Sequence, residues 1–149
     1  MRRTSFLIAS PIQQQFGIAI LRIITDIVFV AHGAQKVFVY GFAGVGGAFA
    51  QMGVPMPTVM GPVIGLIELL GGVALIVGLF TRIAALALAC DMLGAILLVH
   101  AAGGFFLPAG LEFVLMLFGA ALAILFAGPG ALSVDGALAA RGSTRDATR

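Results

Sequence analysis

The sequence predicts an all-α integral membrane protein, a bundle of four transmembrane helices. Hydrophobic residues make up 61% of its 149 residues and charged residues only 9%, whereas soluble domains carry roughly a quarter charged residues. So few charges cannot cover a surface in water, which argues against a soluble enzyme domain. The formal net charge of +2 is too small and scattered for a nucleic-acid partner.

Four apolar stretches are long enough to cross a bilayer, which takes about 20 residues as a helix. We expect spans at about residues 16–34, 60–80, 83–101 and 107–127. Only Thr81-Arg82 separates the second span from the third, and residues 103–106 precede the fourth. Because short connections join adjacent antiparallel helices, these spans should form a compact bundle.

The connection between the first two predicted spans is longer and rich in glycine. It covers residues 37–57 and contains Gly41, Gly44, Gly46, Gly47 and Gly53. We expect a glycine-rich outer loop that re-enters the membrane or lies on its surface. The membrane domain then covers residues 1–136, and a polar cytoplasmic tail follows over 137–149. The tail is expected to end in disorder at residues 142–146.

Arginine positions predict the orientation in the membrane. One side carries six basic residues if both termini are cytoplasmic, and Lys36 alone remains for the outside. The six are Arg2, Arg3, Arg82, Arg141, Arg145 and Arg149. Since basic residues concentrate in cytoplasmic loops, both termini are predicted to be cytoplasmic.

Ionisable side chains within the predicted spans are the first candidates for function, because charges at mid-bilayer cost at least a few kcal/mol. Those inside are Arg22, Asp26, Glu68, Asp91 and Glu112, and His32, Lys36 and His100 lie at the outer rim. Arg22 and Asp26 are four residues apart on one helix face, which predicts a structural ion pair. A charge relay is the alternative.

Glu68 shares a helix stripe with Gly61, Gly65 and Gly72, which lets another backbone approach closely. Glu68 is then either a neutral, hydrogen-bonded acid in a packing seam or a proton carrier. Glu112 lies near the outer end of the fourth span. It is either a solvated carboxylate favoured by the helix dipole or a further functional group.

The third predicted span places Asp91 and His100 on opposite faces of a straight helix. The two residues can share one site only if the helix bends or ends before His100. Asp91 could instead meet Arg22 or Asp26, and His100 could meet Glu112 across the short loop. Cys90 is expected to be a small packing residue. As the chain's one cysteine, it excludes an intrachain disulfide and a dithiol relay by this chain alone.

The predicted site lies in the outer half of the bundle. Its candidate catalytic residues are His32, Glu68, His100 and Glu112, with Lys36 beside them. These groups could exchange protons with a quinone held between helices, or bind a divalent metal. We expect no metal, because no pair has the spacing of a known metal motif. We expect no haem, because it would need both histidines as axial ligands and they lie near the outer surface. We expect no nucleotide, because no glycine motif for a nucleotide is complete.

Motifs along most of the chain carry a family resemblance. They are Leu21-Arg22, the runs His32 to Lys36, Met52 to Pro57, Ile67 to Gly72 and Gly78 to Arg82, then His100, Gly104 to Phe106, Gly110 to Glu112, and Gly128 to Asp135. In order and spacing, over about residues 16–136, they resemble the DoxX/DoxD-like family of small bacterial membrane proteins. The motif positions that carry over are Arg22, His32, Gln35, Lys36, Glu68, Arg82, His100 and Glu112.

This resemblance implies a four-helix protein of the bacterial inner membrane. Family members are associated with sulfur and thiol oxidoreduction, including the membrane subunit of a thiosulfate–quinone oxidoreductase, and with oxidative-stress assemblies. More distant relatives act in membrane trafficking. The resemblance therefore implies a fold more firmly than an activity.

The leading hypothesis is a quinone-linked membrane oxidoreductase subunit. His32 or His100 would exchange protons with the quinone oxygens, and Glu68 would relay them. Gln35 and Lys36 would bind the quinone or attract an anionic donor such as thiosulfate. The alternatives are a non-enzymatic scaffold that recruits partner proteins and a small proton-coupled carrier. A homo-oligomer in the lipid bilayer, with a soluble or membrane redox partner, is expected.

Overall fold

The computed structural model describes residues 8–146, and these form an all-α fold. Its helices are α1 (Pro11–Ala34), α2 (Gly41–Gln51), α3 (Pro57–Val77), α4 (Thr81–Ala95), α5 (Glu112–Ala127) and α6 (Val134–Asp146). Two π-helical segments, Gln35–Tyr40 and Ile96–His100, continue α1 and α4, and a 3₁₀ turn, Ala101–Gly103, follows the second. Arg2, Arg3 and Arg149, which the orientation prediction uses, lie outside the described residues.

Within residues 8–146, three helical stretches are long and apolar enough to cross a membrane. They are Pro11–Gln51, Pro57–Val77 and Thr81–Gly103, and the shorter α5 is also apolar. Large side chains such as Ile24 on α1 and Leu70 on α3 face outward, each more than half exposed. The protein is therefore a multi-pass membrane protein, and the first three predicted spans lie on α1, α3 and α4. The fourth, predicted over about residues 107–127, corresponds to the shorter α5, which begins only at Glu112.

Helix α1 begins earlier than the first predicted span because its first residues form a capping box. The Gln13 N–H donates to Ser10 Oγ at 3.3 Å, and the Ser10 N–H donates to Gln13 Oε1 at 2.7 Å. Pro11 occupies the first turn, where its missing N–H costs nothing. The cap places the start of α1 at Pro11.

Helix α3 packs closely against both α1 and α2 through glycines. A Cβ atom on Gly33 would lie 2.3 Å from the Leu69 backbone nitrogen, and one on Gly72 would lie 3.0 Å from the Val30 nitrogen. A Cβ atom on Gly61 would in turn lie 2.9 Å from the Gly46 nitrogen. The prediction that the glycine face of the second span allows close packing is therefore confirmed, and this face packs against both α1 and α2.

The glycine-rich connection predicted as an outer loop over residues 37–57 is helical for most of its length. The π-helical segment leads to Gly41, whose φ of +67° changes the chain direction without a Cβ clash. Helix α2 then packs on the start of α3. Its glycines serve helix packing, and only residues 52–56 connect the two helices.

The C-terminal segment folds back onto the bundle. Its Ala131 N–H donates to the Gln15 carbonyl at 3.0 Å, and its Asp135 N–H donates to the Gly78 carbonyl at 2.9 Å. Helix α6 then continues to Asp146, over the residues for which the sequence predicts a disordered end. This end of the bundle, which holds the start of α1 and the α3–α4 turn, is called the tail end.

Candidate functional site

A cavity of about 650 Å³ lies at the opposite end of the bundle, between α1, α3, α4 and α5. We call this the cavity end. Its wall is mainly apolar and includes Phe29, Phe49 and Phe113. The ionisable side chains that line it are His32, Lys36, Glu68, Cys90, Asp91 and His100. Sites for small molecules typically combine such a volume with an apolar wall and a few convergent polar groups.

An ion pair between Lys36 and Glu68 joins the first π-helical segment to α3. Lys36 Nζ donates to Glu68 Oε2, and the Glu68 side chain is only 5% exposed. Gly65, one turn before Glu68, makes room for this pair because a Cβ there would lie 3.3 Å from the Lys36 Cβ. The predicted glycine stripe therefore brings the lysine to the carboxylate.

Asp91 of α4 is a cavity residue that the predicted site did not include. It is 8% exposed, and its Oδ2 has no hydrogen-bond partner within residues 8–146. It interacts electrostatically with Glu68 and Lys36, rather than with Arg22 or Asp26 as predicted. Its neighbour Cys90 also differs from its prediction, since this thiol-bearing side chain is exposed and lines the cavity.

The second π-helical segment explains how Asp91 and His100 reach the same cavity. At about 100° per residue, nine residues of a straight α-helix end on the opposite face. A π-helix closes its hydrogen bonds over five residues instead of four, so each residue advances by a smaller angle. Because Ile96–His100 is π-helical, His100 comes round toward the face of Asp91.

The two histidines are held in the same manner. His32 Nδ1 lies 3.0 Å from the Val28 carbonyl oxygen, and His100 Nδ1 lies 3.2 Å from the Ala109 carbonyl oxygen. Since a carbonyl only accepts, each Nδ1 carries the proton and Nε2 remains available for a ligand. His32 also contacts the Phe113 ring at a centroid distance of 5.9 Å.

Two predicted site residues, Glu112 and Gln35, do not line the cavity. Glu112 Oε1 accepts a hydrogen bond from the Leu107 backbone N–H at 2.8 Å, which fixes the loop before α5. His100 bonds to Ala109 in that loop rather than to Glu112. Gln35 is exposed at the start of the π-helical segment. The structure thus brings together His32, Lys36, Glu68 and His100 from the predicted set.

The predicted ion pair between Arg22 and Asp26 is not formed as a direct contact. The buried Arg22 guanidinium donates to five backbone carbonyls, those of Leu75, Ile76, Pro129, Ala131 and Leu132. Both oxygens of the buried Asp26 carboxylate lack a hydrogen-bond partner in the described part of the chain. The two charges interact only electrostatically, and Arg22 joins the C-terminal segment to α3.

No group of three or more His, Cys, Asp or Glu side chains within residues 8–146 is placed to hold a metal ion. The cavity offers instead two imidazoles, one ion pair and one carboxylate without a hydrogen bond at its Oδ2. Such groups can hold and move protons and can form hydrogen bonds to a polar ligand within an apolar wall.

Fold and cavity together define a small all-α membrane protein with a mainly apolar cavity that several ionisable side chains line. The chain belongs to the DoxX family, whose model matches residues 17–101. That match includes all six ionisable cavity residues, from His32 to His100.

Three relatives extend the comparison. A Bacillus subtilis protein named "Putative oxidoreductase CatD" is 36% identical over 104 residues, 69% of this chain and 74% of its own. An uncharacterized Haemophilus influenzae protein is 37% identical over 124 residues, 80% of this chain and 89% of its own. An uncharacterized membrane protein of Mycobacterium tuberculosis is 37% identical over 78 residues, 52% of this chain and 47% of its own. No solved structure matches at a comparable significance.

Proposed function

We propose that the protein is the membrane subunit of a quinone-linked oxidoreductase and that its cavity holds the quinone. The observation that carries this proposal is the convergence of His32, His100 and the Lys36–Glu68 pair on one apolar cavity of about 650 Å³. The similarity to a relative whose printed name describes an oxidoreductase supports the same class of reaction.

The residues of the cavity fit a quinone. The ring of a benzoquinone is flat and apolar, and three phenylalanines, Phe29, Phe49 and Phe113, line the wall. Its two carbonyl oxygens accept hydrogen bonds, and protonated imidazole and ammonium groups donate them. An isoprenoid tail would continue between helices whose outer faces are apolar.

Reduction of a quinone to its quinol consumes two electrons and two protons. The electrons would come from a donor such as thiosulfate or a thiol, which is oxidised, delivered directly or through a redox partner. As imidazolium ions, His32 and His100 would give protons from Nε2, because Nδ1 of each keeps its proton in a hydrogen bond to a carbonyl. Glu68 would pass protons to them, with Lys36 stabilising its ionised form.

The rate of quinone reduction tests this proposal. Purified protein in proteoliposomes is supplied with thiosulfate or a thiol donor and a short-chain benzoquinone, and quinol formation is followed by absorbance. We expect Glu68→Gln and His32→Ala to lower the rate at least tenfold, since a positioned acid or base contributes about 10²–10⁴. Gly17→Ala, with open space around its Cβ, is the matched control. No turnover by the wild type, or equal rates in all variants, would contradict the proposal.

We also propose that the cavity end faces the outside of the bacterial inner membrane and that both termini are cytoplasmic. The described Arg82 and Arg141 belong to α4 and α6 at the tail end, and Lys36 belongs to the cavity end. This separation supports the positive-inside assignment. An anionic donor would then approach Lys36 from outside, and homo-oligomers in the bilayer would be compatible with the exposed apolar faces.

A further inference from the structure

We infer that Asp91 binds the reduced form of the cavity's ligand, a quinol, and discriminates against the quinone. Asp91 would accept a hydrogen bond from a quinol hydroxyl and so touch the reacting oxygen. This inference rests on the proposed function, because it names the ligand as a quinone–quinol couple. It adds a residue to the site and a preference for one redox state.

The first support is the charge balance of the cavity. Two carboxylates, Glu68 and Asp91, are each more than nine-tenths buried, and Lys36 is bonded to Glu68. Lys36 therefore neutralises Glu68, and Asp91 has neither a counterion of its own nor a hydrogen bond to its Oδ2 within residues 8–146. An unsatisfied buried acceptor is costly, so a hydrogen-bond donor supplied by a ligand would be bound tightly.

The second support is the surroundings of Asp91. The ionisable groups that share its cavity are Lys36, Glu68, His32, His100 and the adjacent Cys90. Each imidazole already donates its Nδ1 proton to a carbonyl. A carboxylate can present either oxygen by rotating about its terminal torsion, which is broad and two-fold. Asp91 is thus the cavity carboxylate that has no counterion of its own, and its Oδ2 lacks a described donor.

The hydrogen-bonding chemistry of the quinone–quinol couple explains why Asp91 would bind the quinol more tightly. The two oxygens of a quinone only accept hydrogen bonds, whereas both oxygens of a quinol carry a proton and donate. When ionised, the Asp91 carboxylate complements the quinol and repels the quinone oxygens, whereas a protonated Asp91 could also donate to the quinone. Hydrogen bonds to charged groups are among the stronger ones in proteins, so we expect the quinol to bind at least tenfold more tightly.

This preference would act on the direction of electron flow. A site that binds the reduced form more tightly raises the reduction potential of the bound couple. For a two-electron couple, a tenfold preference corresponds to about 30 mV. The bound quinone would then be easier to reduce than the quinone in the membrane, as a site that reduces quinone requires.

Binding measurements on both redox forms test the inference. The dissociation constants of a short-chain benzoquinone, its quinol and the quinol dimethyl ether are measured anaerobically by calorimetry on the full-length protein in detergent. The chain has no tryptophan, so calorimetry is preferable to intrinsic fluorescence. In the wild type, at an alkaline pH that keeps Asp91 ionised, the quinol should bind at least tenfold more tightly than the other two, because only the quinol donates.

Three variants separate the role of Asp91 from a general loss of charge. Asp91→Asn should bring the quinol-to-quinone ratio close to one, and Asp91→Glu should keep the preference for the quinol. Asp26→Asn removes another buried carboxylate that does not line the cavity, and it should leave the ratio unchanged. An unchanged ratio in Asp91→Asn, or an equal collapse in Asp26→Asn, would overturn the inference.

The same data distinguish this inference from the proposed function. Equal binding of quinone and quinol by the wild type contradicts the role of Asp91 while the quinone site stands. Binding of neither form contradicts the proposed quinone site, and the inference with it. A quinol preference without turnover in the donor assay supports the Asp91 site and contradicts the oxidoreductase.

Discussion

Arg22 shows how one buried charge can stabilise the tail end of the bundle. A planar guanidinium carries five N–H donors in a fixed arrangement, and here they reach the carbonyls of two chain segments far apart in sequence. One segment is the end of α3 at Leu75 and Ile76, and the other is residues 129–132. Arg22 therefore supplies side-chain hydrogen bonds to these carbonyls at a buried position.

Arg22→Met should therefore destabilise the protein by about 3 kcal/mol or more, because it removes a hydrogen-bonded charge from a buried network. Arg22→Lys should be intermediate, since an ammonium has three donors and no planar fork. Thermal unfolding in detergent, followed by circular dichroism, gives the comparison. The control is Arg82→Met, at an exposed position, and equal melting temperatures for the two methionine variants would refute this role of Arg22.

Four of the six ionisable residues of the site could be found from the sequence alone, but their partners could not. Scarcity of charge in an apolar chain singles out His32, Lys36, Glu68 and His100, and all four line the cavity. Arg22 and Asp26 have the spacing of an ion pair, yet sequence spacing does not reveal that backbone carbonyls from residues 75–76 and 129–132 compete for the same guanidinium. Such long-range partners depend on the tertiary fold.

At the scale of the elements, two π-helical segments shape the cavity end. One carries Lys36 and the other ends at His100, and both residues line the cavity. π-helical turns are rare and occur frequently at functional sites. The prediction that Asp91 and His100 lie on opposite faces assumed a uniform α-helix. Apolar periodicity does not reveal a local change of helical pitch, so Asp91 was absent from the predicted site.

The glycine-rich connection shows a second feature that could not be predicted from the sequence, namely which helix packs against which. Glycine is common in loops, but small residues also let helices approach closely in membranes. Gly46 serves the latter purpose, because it meets Gly61 of α3. The sequence correctly predicts the small-residue face of α3, but it does not identify α2 as one of the two helices packed against that face.

Gly33→Ala should destabilise the contact between α1 and α3 by about 1–3 kcal/mol, the usual range for an overpacked core. Its new Cβ would lie 2.3 Å from the Leu69 backbone nitrogen, and backbone cannot move aside as a side chain can. Gly17→Ala is the matched control in the same helix, with nothing within 4 Å. A melting temperature for Gly33→Ala equal to that of Gly17→Ala would show that the two helices are not packed as described.

Asp135 connects the C-terminal segment to the start of α4. Its carboxylate accepts from the Thr81 N–H at 2.8 Å and from the Phe80 N–H at 3.0 Å. The hydrogen bond from Thr81 is the main cause that lowers the pKa of Asp135 below its ordinary value of 3.8. The ionised carboxylate therefore acts as a cap for α4, supplied by a distant segment of the chain.

Asp135→Ala should cost about 1 kcal/mol at pH 7, as the loss of a helix cap does. Because the pKa is lowered on folding, the stabilisation by the carboxylate is fully present above the ordinary pKa near 4. It is lost as the pH falls through the lowered value. Unfolding at pH 7 and near pH 3 should show the difference between wild type and variant shrinking in acid. A difference that grows in acid would contradict this cap.

At the scale of the whole molecule, the two ends of the bundle differ in chemistry. The tail end is held by Arg22 and Asp135 through backbone hydrogen bonds. The cavity end holds an apolar space lined by ionisable groups from α1, α3 and α4 and from their π-helical extensions. The all-α membrane class and the DoxX family could be read from composition and motifs, whereas the cavity required the packing of the helices.

The amount of quinone bound per chain tests whether this cavity holds a quinone. Gly94 lines the cavity and has nothing within 4 Å of its Cβ position, so Gly94→Leu should fill the space without disturbing the backbone. Gly119 of α5 has equally open surroundings and does not line the cavity, which makes Gly119→Leu the control.

Each protein is incubated with quinone, washed and extracted, and the quinone is quantified by chromatography. We predict close to one quinone per chain in the wild type and in Gly119→Leu, and at least a tenfold loss in Gly94→Leu. A wild type that retains no quinone, or a Gly94→Leu variant that retains as much as the control, would contradict the account.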